Sequence, residues 1–134
     1  MFDCDCLLPV DLRAKVISLA EGFNADTQPL QNLHVLNRIE QISSAEAKTE
    51  WARWVLNKGL KAFEEDVAAT MGEYCVGDSV TLADVFLVPQ LYTARRFNVD
   101  LSPFPNALRI EAKLEQLPAF KAAHPDQQPD KPAQ

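Results

Sequence analysis

Apolar residues recur at three- and four-residue spacing along most of this chain, and nowhere do they alternate long enough to suggest a strand. The first helical stretch runs from about Asp11 to Arg38, with Leu12, Val16, Leu19, Leu30, Leu33 and Ile39 on the helical period. Pro29 lies inside it. Proline lacks the N–H a helix needs and clashes with the carbonyl four residues back, here Ala25, so a kink is expected. A second stretch opens at Ser43-x-x-Glu46, which reads as a capping box, and reaches about Met71. Trp51, Trp54, Val55, Phe63 and Val67 mark its buried stripe, and the two tryptophans read as core or cleft wall. The third stretch runs from Thr81 to about Phe97, again around an internal proline, Pro89. A fourth starts near Pro103 or Phe104 and ends near Gln116, and Pro118 to Ala123 forms a short last turn or helix. The fold class predicted is all-α, a bundle of about five helices. Residues 125–134 are polar and proline-rich and are expected to form a flexible tail.

The sharpest local signal is YCVGDSVTLADVFLVPQ, residues 74–90. Gly77 can take a positive φ, and Asp78 can hydrogen-bond its own backbone, so Val76-Gly77-Asp78 is a turn. Thr81 then stands at a helix N-cap with Asp84 three residues on. This is a Ser/Thr-x-x-acid capping box, with Val80 and Val85 at the staple positions. An acid in such a place invites a general-base role. Capping explains Asp84 fully, so Thr81 and Asp84 are assigned to folding.

Composition narrows the class. A chain of 134 residues is one ordinary domain, and 47% apolar residues make it globular. A net charge of −6 argues against nucleic acid or an anionic membrane as partner. No apolar run approaches a membrane span, and no secretory signal opens the sequence. Three cysteines suit a reduced, cytoplasmic protein better than a disulfide scaffold. Cys4 and Cys6 could chelate a metal, but no further Cys or His stands at ligand spacing, so no metal site is assigned. Cys75 reads as a small buried hydrophobe. There is no Gly-rich phosphate loop, zinc spacing or nucleophile elbow, and nothing brings His34 or His124 together with a serine and an acid.

The segments QPLQNLHVL (28–36), YCVGDSVTLAD (74–84), LVPQ (87–90), RRFNVDLSPFP (95–105) and LPAFKAAHPDQQPD (117–130), taken in order, resemble the C-terminal helical domain of zeta-class glutathione transferases, the class of the maleylacetoacetate isomerases. The resemblance covers 7–124 as the helical domain and leaves 1–6 as an extension outside it. It implies a glutathione-dependent cis–trans isomerase of tyrosine and phenylalanine breakdown, with glutathione as cofactor and a small carboxylate as substrate. It also implies a homodimer or a thioredoxin-like partner domain. That domain carries the Ser-Ser-Cys motif, the cis-proline loop and the Glu-Ser pair that hold and activate glutathione, and none of these occurs in this sequence. The isolated chain is therefore expected to be inactive. The alternative is a non-catalytic interaction module, since such helical domains also serve as docking units in larger assemblies. The surface around Leu7, Leu8, Pro9 and the start of the first helix is expected to self-associate or bind a partner.

By the same resemblance Arg96, within Arg95-Arg96-Phe97-Asn98-Val99-Asp100, binds the substrate's carboxylate. A guanidinium fork suits that task, while both arginines could instead only face the negative end of their helix. Gln28, Asn32, Leu33 and His34 line the glutathione cleft on this reading. Gln28 and Asn32 are four apart and share a helix face, and amides both donate to and accept from a peptide. They could equally serve the kink at Pro29, where freed backbone groups need partners.

Overall fold

Leu82–Arg96, here α5, is the central helix, and Ala83, Leu87, Leu91 and Ala94 along it are wholly buried. It appears in a computed structural model that describes residues 8–129, so the expectations placed on Cys4, Cys6, Leu7 and residues 130–134 lie outside the described residues. Around α5 stand α1 (Val10–Glu21), α3 (Leu33–Ile42), α4 (Ala45–Val67) and α6 (Pro105–Leu114), with the shorter α2 (Gln28–Leu30) and α7 (Pro118–Ala123). Five of these helices have ten or more residues, the number expected for the bundle, although the periodicity reads α1 and α3 as one stretch. Among the described residues there is no strand, only an isolated bridge between Met71 and Gly77. Nor is any helix among them long and apolar enough to cross a membrane.

α1 and α6 pack on α5, and α3 lies along α4. Val16, Leu19, Phe23, Leu56, Leu60, Phe63, Ile110 and Leu114 close one core around the central helix. The Phe23 and Phe63 rings stack at 5.0 Å. Burying each such side chain contributes about 1.5–3 kcal/mol.

The first predicted stretch is not one kinked helix. After Glu21 the backbone widens into π-helical turns over Gly22–Thr27, where the Thr27 hydroxyl donates to the Gly22 carbonyl at 3.2 Å. Pro29 then sits in the first turn of α2, where its missing N–H is harmless. The ladder stops at Gln31 and restarts beyond Asn32, whose φ of −59° and ψ of 145° make it the N-cap of α3. So the break falls at 31–32, after the proline and not at it. The π-helical segment lies tightly on α4. A Cβ added to Gly59 would sit 2.1 Å from the Thr27 hydroxyl, so only glycine fits there.

Two further boundaries differ from expectation. The N-cap of α4 is Ser44, one residue past Ser43, and its hydroxyl accepts from the Ala47 N–H at 3.2 Å. Glu46 thereby falls in the first turn, where hydrogen bonds from its own backbone and from Ser44 hold its carboxyl below the usual range. α4 ends at Val67, short of Met71, and α6 begins at Pro105. Trp51 is half-buried, but Trp54 is 54% exposed, which removes it from the buried stripe.

The box opening α5 is formed as predicted. The Asp84 carboxylate accepts from the Thr81 N–H at 2.8 Å and from the Thr81 hydroxyl at 3.0 Å. Its other oxygen takes the Cys75 N–H at 3.0 Å, a bond the sequence did not suggest. Asp84 is wholly buried, so this one side chain pins the turn to the central helix. α5 closes on a Schellman motif. Asn98 takes φ 54°, Asn98 N–H donates to Arg95, and Val99 N–H donates to Ala94. Phe104 has no side-chain acceptor to start α6. Glu64 of α4 supplies one, accepting from the Asn106 and Ala107 N–H groups at 2.8 and 3.0 Å.

Replacing Asp84 by alanine would leave two backbone N–H groups buried and unpaired as well as removing the cap. Asp84→Ala should therefore destabilise the fold by about 3 kcal/mol, above the ordinary range for a lost cap. Urea unfolding followed by circular dichroism reads this as a lower midpoint. An unchanged midpoint would mean that the carboxylate holds nothing.

Candidate functional site

Gln28 and Asn32 do meet. Gln28 Nε2 donates to Asn32 Oδ1 at 3.0 Å, across the break between α2 and α3. That oxygen is diverted from capping, and Asn32 makes no side-chain cap bond to α3. Gln28 is exposed, Leu33 is 75% exposed and His34 is exposed, while Asn32 is half-buried, so three of the four cleft candidates face solvent. The break behind them is tied down by two other helices. Trp51 Nε1 donates to the Leu30 carbonyl at 2.9 Å, and Gln31 Nε2 donates to Gln90 Oε1 at 2.7 Å.

The two arginines at the end of α5 have different roles. Arg95 forms a two-pronged pair with Glu111 of α6, at 2.6 and 2.5 Å. Glu111 is 3% exposed, so Arg95 is its charge partner and more than a residue facing the helix dipole. The pairing holds the Arg95 guanidinium above its usual pKa. Arg96 is exposed, and among the described residues it has no hydrogen bond or ion pair. The carbonyl just beyond it, Phe97, accepts from Arg53 Nε at 2.7 Å, so α4 braces the end that carries Arg96.

Two candidates for chemistry are closed. Both Asp84 oxygens are engaged inside the core, which leaves no room for a general base. Cys75 is wholly buried, and burial, then the Asp84 charge, pushes its thiol far above the usual range, so it is no nucleophile.

A groove runs between the outer face of α5 and the segment from α7 onward. Val85, Val88, Pro89, Tyr92 and Phe120 give it an apolar floor. His124 sets its ring edge against Tyr92 at 5.8 Å, and its Nδ1 accepts from the Asp126 N–H. Arg96 and the Gln28 cluster do not line this groove. Pro125–Gln127 forms a short 3₁₀ turn held by Gln128, whose amide donates to the Ala122 and His124 carbonyls. Sequence reasoning passed over Gln31, Gln90, Glu64 and Glu111. For Gln90 and Glu111 the only signal was a polar residue within a buried helix face, and half-buried Glu64 gave none.

An all-α bundle whose buried central helix opens on a Thr-x-x-Asp box fits the helical domain of the glutathione transferases. The chain belongs to that family: residues 31–123 match the glutathione S-transferase C-terminal domain. Within it, the relatives are zeta-class proteins and maleylacetoacetate isomerases. A probable maleylacetoacetate isomerase 2 of Drosophila melanogaster is 48% identical over 128 residues, covering 94% of this chain and 55% of the relative. Mouse maleylacetoacetate isomerase is 45% identical, with 96% and 58% covered. The crystal structure of maleylacetoacetate isomerase from Anaeromyxobacter dehalogenans, with dicarboxyethyl glutathione and citrate bound in its active site, superposes with a TM-score of 0.90 at 47% identity, over 95% of this chain and 60% of that one. The chain thus spans a little over half the length of the curated relatives it matches.

The arginines give opposite stability predictions. Arg95→Ala leaves Glu111 buried and unpaired and should cost about 1–3 kcal/mol, discounted because the guanidinium is half-exposed. Arg96→Ala should stay within about 0.5 kcal/mol of the parent. Thermal unfolding of both variants measures the contrast, and equal losses would contradict the separation of roles.

Proposed function

We propose that this chain is the helical domain of a zeta-class, maleylacetoacetate isomerase-like protein, acting with glutathione in cis–trans isomerisation of a small unsaturated carboxylic acid. The observation that carries the reading is Arg96, a cation with no partner among the described residues at the braced end of the central helix. An unengaged guanidinium offers a carboxylate two parallel N–H donors at little reorganisation. The match to proteins of this name, one of them with a glutathione derivative and citrate in its active site, supports the same reading.

On this reading the chain's residues bind and orient. Arg96 fixes the substrate's carboxylate. Gln28 and Asn32, already hydrogen-bonded to each other, present the remaining donors and acceptors of two amides to the tripeptide. Leu33 and His34 form the edge of that cleft. Glutathione, when bound, supplies the thiol that adds reversibly to the conjugated double bond. Among the described residues the one thiol, Cys75, is buried and held protonated, so it is not fit for that step. The setting proposed is cytoplasmic, in tyrosine and phenylalanine breakdown.

A second reading, a protein-interaction module, draws on the exposed apolar side chains. Val10 is 73% exposed, Ile17 56%, Ile42 65%, and Leu82 and Val85 41% each. Pro9 is exposed beside Val10, while Leu8 is half-buried against the core. Such a surface suits a homodimer or a thioredoxin-like domain as readily as a foreign partner, so it is compatible with both readings.

The isolated chain should turn over maleylacetone with glutathione no faster than glutathione alone, while maleate should perturb the Arg96 side-chain resonances. Arg96→Ala should weaken maleate binding about tenfold or more, the worth of a charged hydrogen bond. An NMR titration measures it. No maleate response at Arg96 would sink the assignment, and turnover that Arg96→Ala abolishes would show a complete catalytic site in this chain alone.

A further inference from the structure

The bond between Gln31 and Gln90 joins residues 59 apart in sequence, and it lies where the two proline-bearing segments cross. Gln90 is 5% exposed, directly after Pro89 in α5. Gln31 is the last residue before the break, two beyond Pro29. The contact is imperfect as packing. Gln31 Oε1 is buried with no hydrogen-bond partner. A buried acceptor left unmade is destabilising, and two apolar side chains of the same shape would leave no orphan. What an apolar pair lacks is direction. A hydrogen bond of 2.7 Å between two amides fixes the Gln31 side chain relative to α5, and with it the backbone that must turn from near-helical at Gln31 to extended at Asn32.

We infer that Gln31 and Gln90 are positioning residues for the Gln28–Asn32 pair. The bridge anchors the break to the central helix, and the break decides where Asn32 Oδ1 stands to receive Gln28 Nε2. The Gln31 backbone lies between the two partners, so freeing it changes the separation of their side chains. Trp51 holds the α2 side of the break through the Leu30 carbonyl, and Gln90 holds the side that leads into α3. Because α5 also ends on Arg96, one rigid helix sets both the tripeptide-facing amides and the carboxylate-facing cation. The bridge is thus a fixed spacer between the two halves of the proposed ligand site. The inference rests on the glutathione reading of Gln28 and Asn32 for its purpose, and on geometry alone for its effect.

The test compares the parent chain with Gln90→Met and with the double variant Gln31→Met/Gln90→Met. In the double variant the shape is retained and the orphan oxygen is gone, so global stability should stay close to the parent's. Positioning predicts that in both variants the side-chain amide resonances of Gln28 and Asn32 move. It also predicts that the first bonded backbone amide of α3, Leu36 N–H on the Asn32 carbonyl, exchanges about tenfold faster, the size of one lost hydrogen bond. Titration with S-methylglutathione should then weaken about five- to tenfold in both variants on the same basis. A double variant with parental resonances and exchange would overturn the inference and make the bridge mere packing. So would a general loosening that reaches α4 and α6 equally. If the parent chain itself shows no response to S-methylglutathione, the glutathione reading of this face fails, and the exchange comparison alone decides the positioning.

Discussion

One buried carboxylate organises this fold. Asp84 has no exposed surface and accepts three hydrogen bonds, from Thr81 N–H, Thr81 hydroxyl and Cys75 N–H. A charge in an apolar core persists only when its lone pairs are met. Meeting them forces the turn at Gly77, seats the segment from 72 to 80 against the start of α5, and aims that helix through the core. Everything that packs on α5 inherits its direction. That includes α1, α6 and the last turn carrying Arg95 and Arg96. The same charge helps keep the Cys75 thiol protonated, so the residue nearest the key constraint is chemically silent.

A second constraint shapes the edge that carries Gln28 and Asn32. A proline within a helix needs somewhere to put the disturbance. Here Pro29 sits in the first turn of α2, and the irregular backbone lies on either side of it, in the π-helical turns over Gly22–Thr27 and in the break at Asn32. The widened turns reach α4 only because Gly59 has no Cβ to meet Thr27. The outcome is a cluster of amide side chains at a surface break, held from beneath by Trp51 and Gln90. Polar groups freed from helical duty are the ones that a peptide ligand can use, which is why the break and the candidate cleft coincide.

The helical class, the count of main helices and the Thr81–Asp84 box were legible in the sequence, because each rests on local spacing or on neighbours within one turn. Boundaries were less so. Ser43 and Ser44 have the same cap chemistry, and only the burial of Ala52, Val55, Leu56 and Phe63 decides the register of α4. An interruption near Pro29 was legible but not its place, since the break falls at 31–32 and the π-helical turns before it depend on Gly59, 32 residues from Thr27 in chain order. Arg95 and Arg96 look alike in a list of letters, and Glu111 on another helix separates them. The Gln31–Gln90 bridge has no local signature. As for the candidate site, Gln28, Asn32 and Arg96 were singled out through resemblance more than through pattern. The structure adds that two of them touch and that the third has no partner among the described residues.

The most direct test of this account is amide hydrogen exchange at Cys75 and Thr81, the two backbone donors to Asp84. Both lie in or next to a turn, where exchange is ordinarily fast. If the buried carboxylate governs the fold, both amides exchange only through global unfolding, as slowly as the core amides of Leu87 and Leu91. Exchange at the pace of an open surface turn would contradict it.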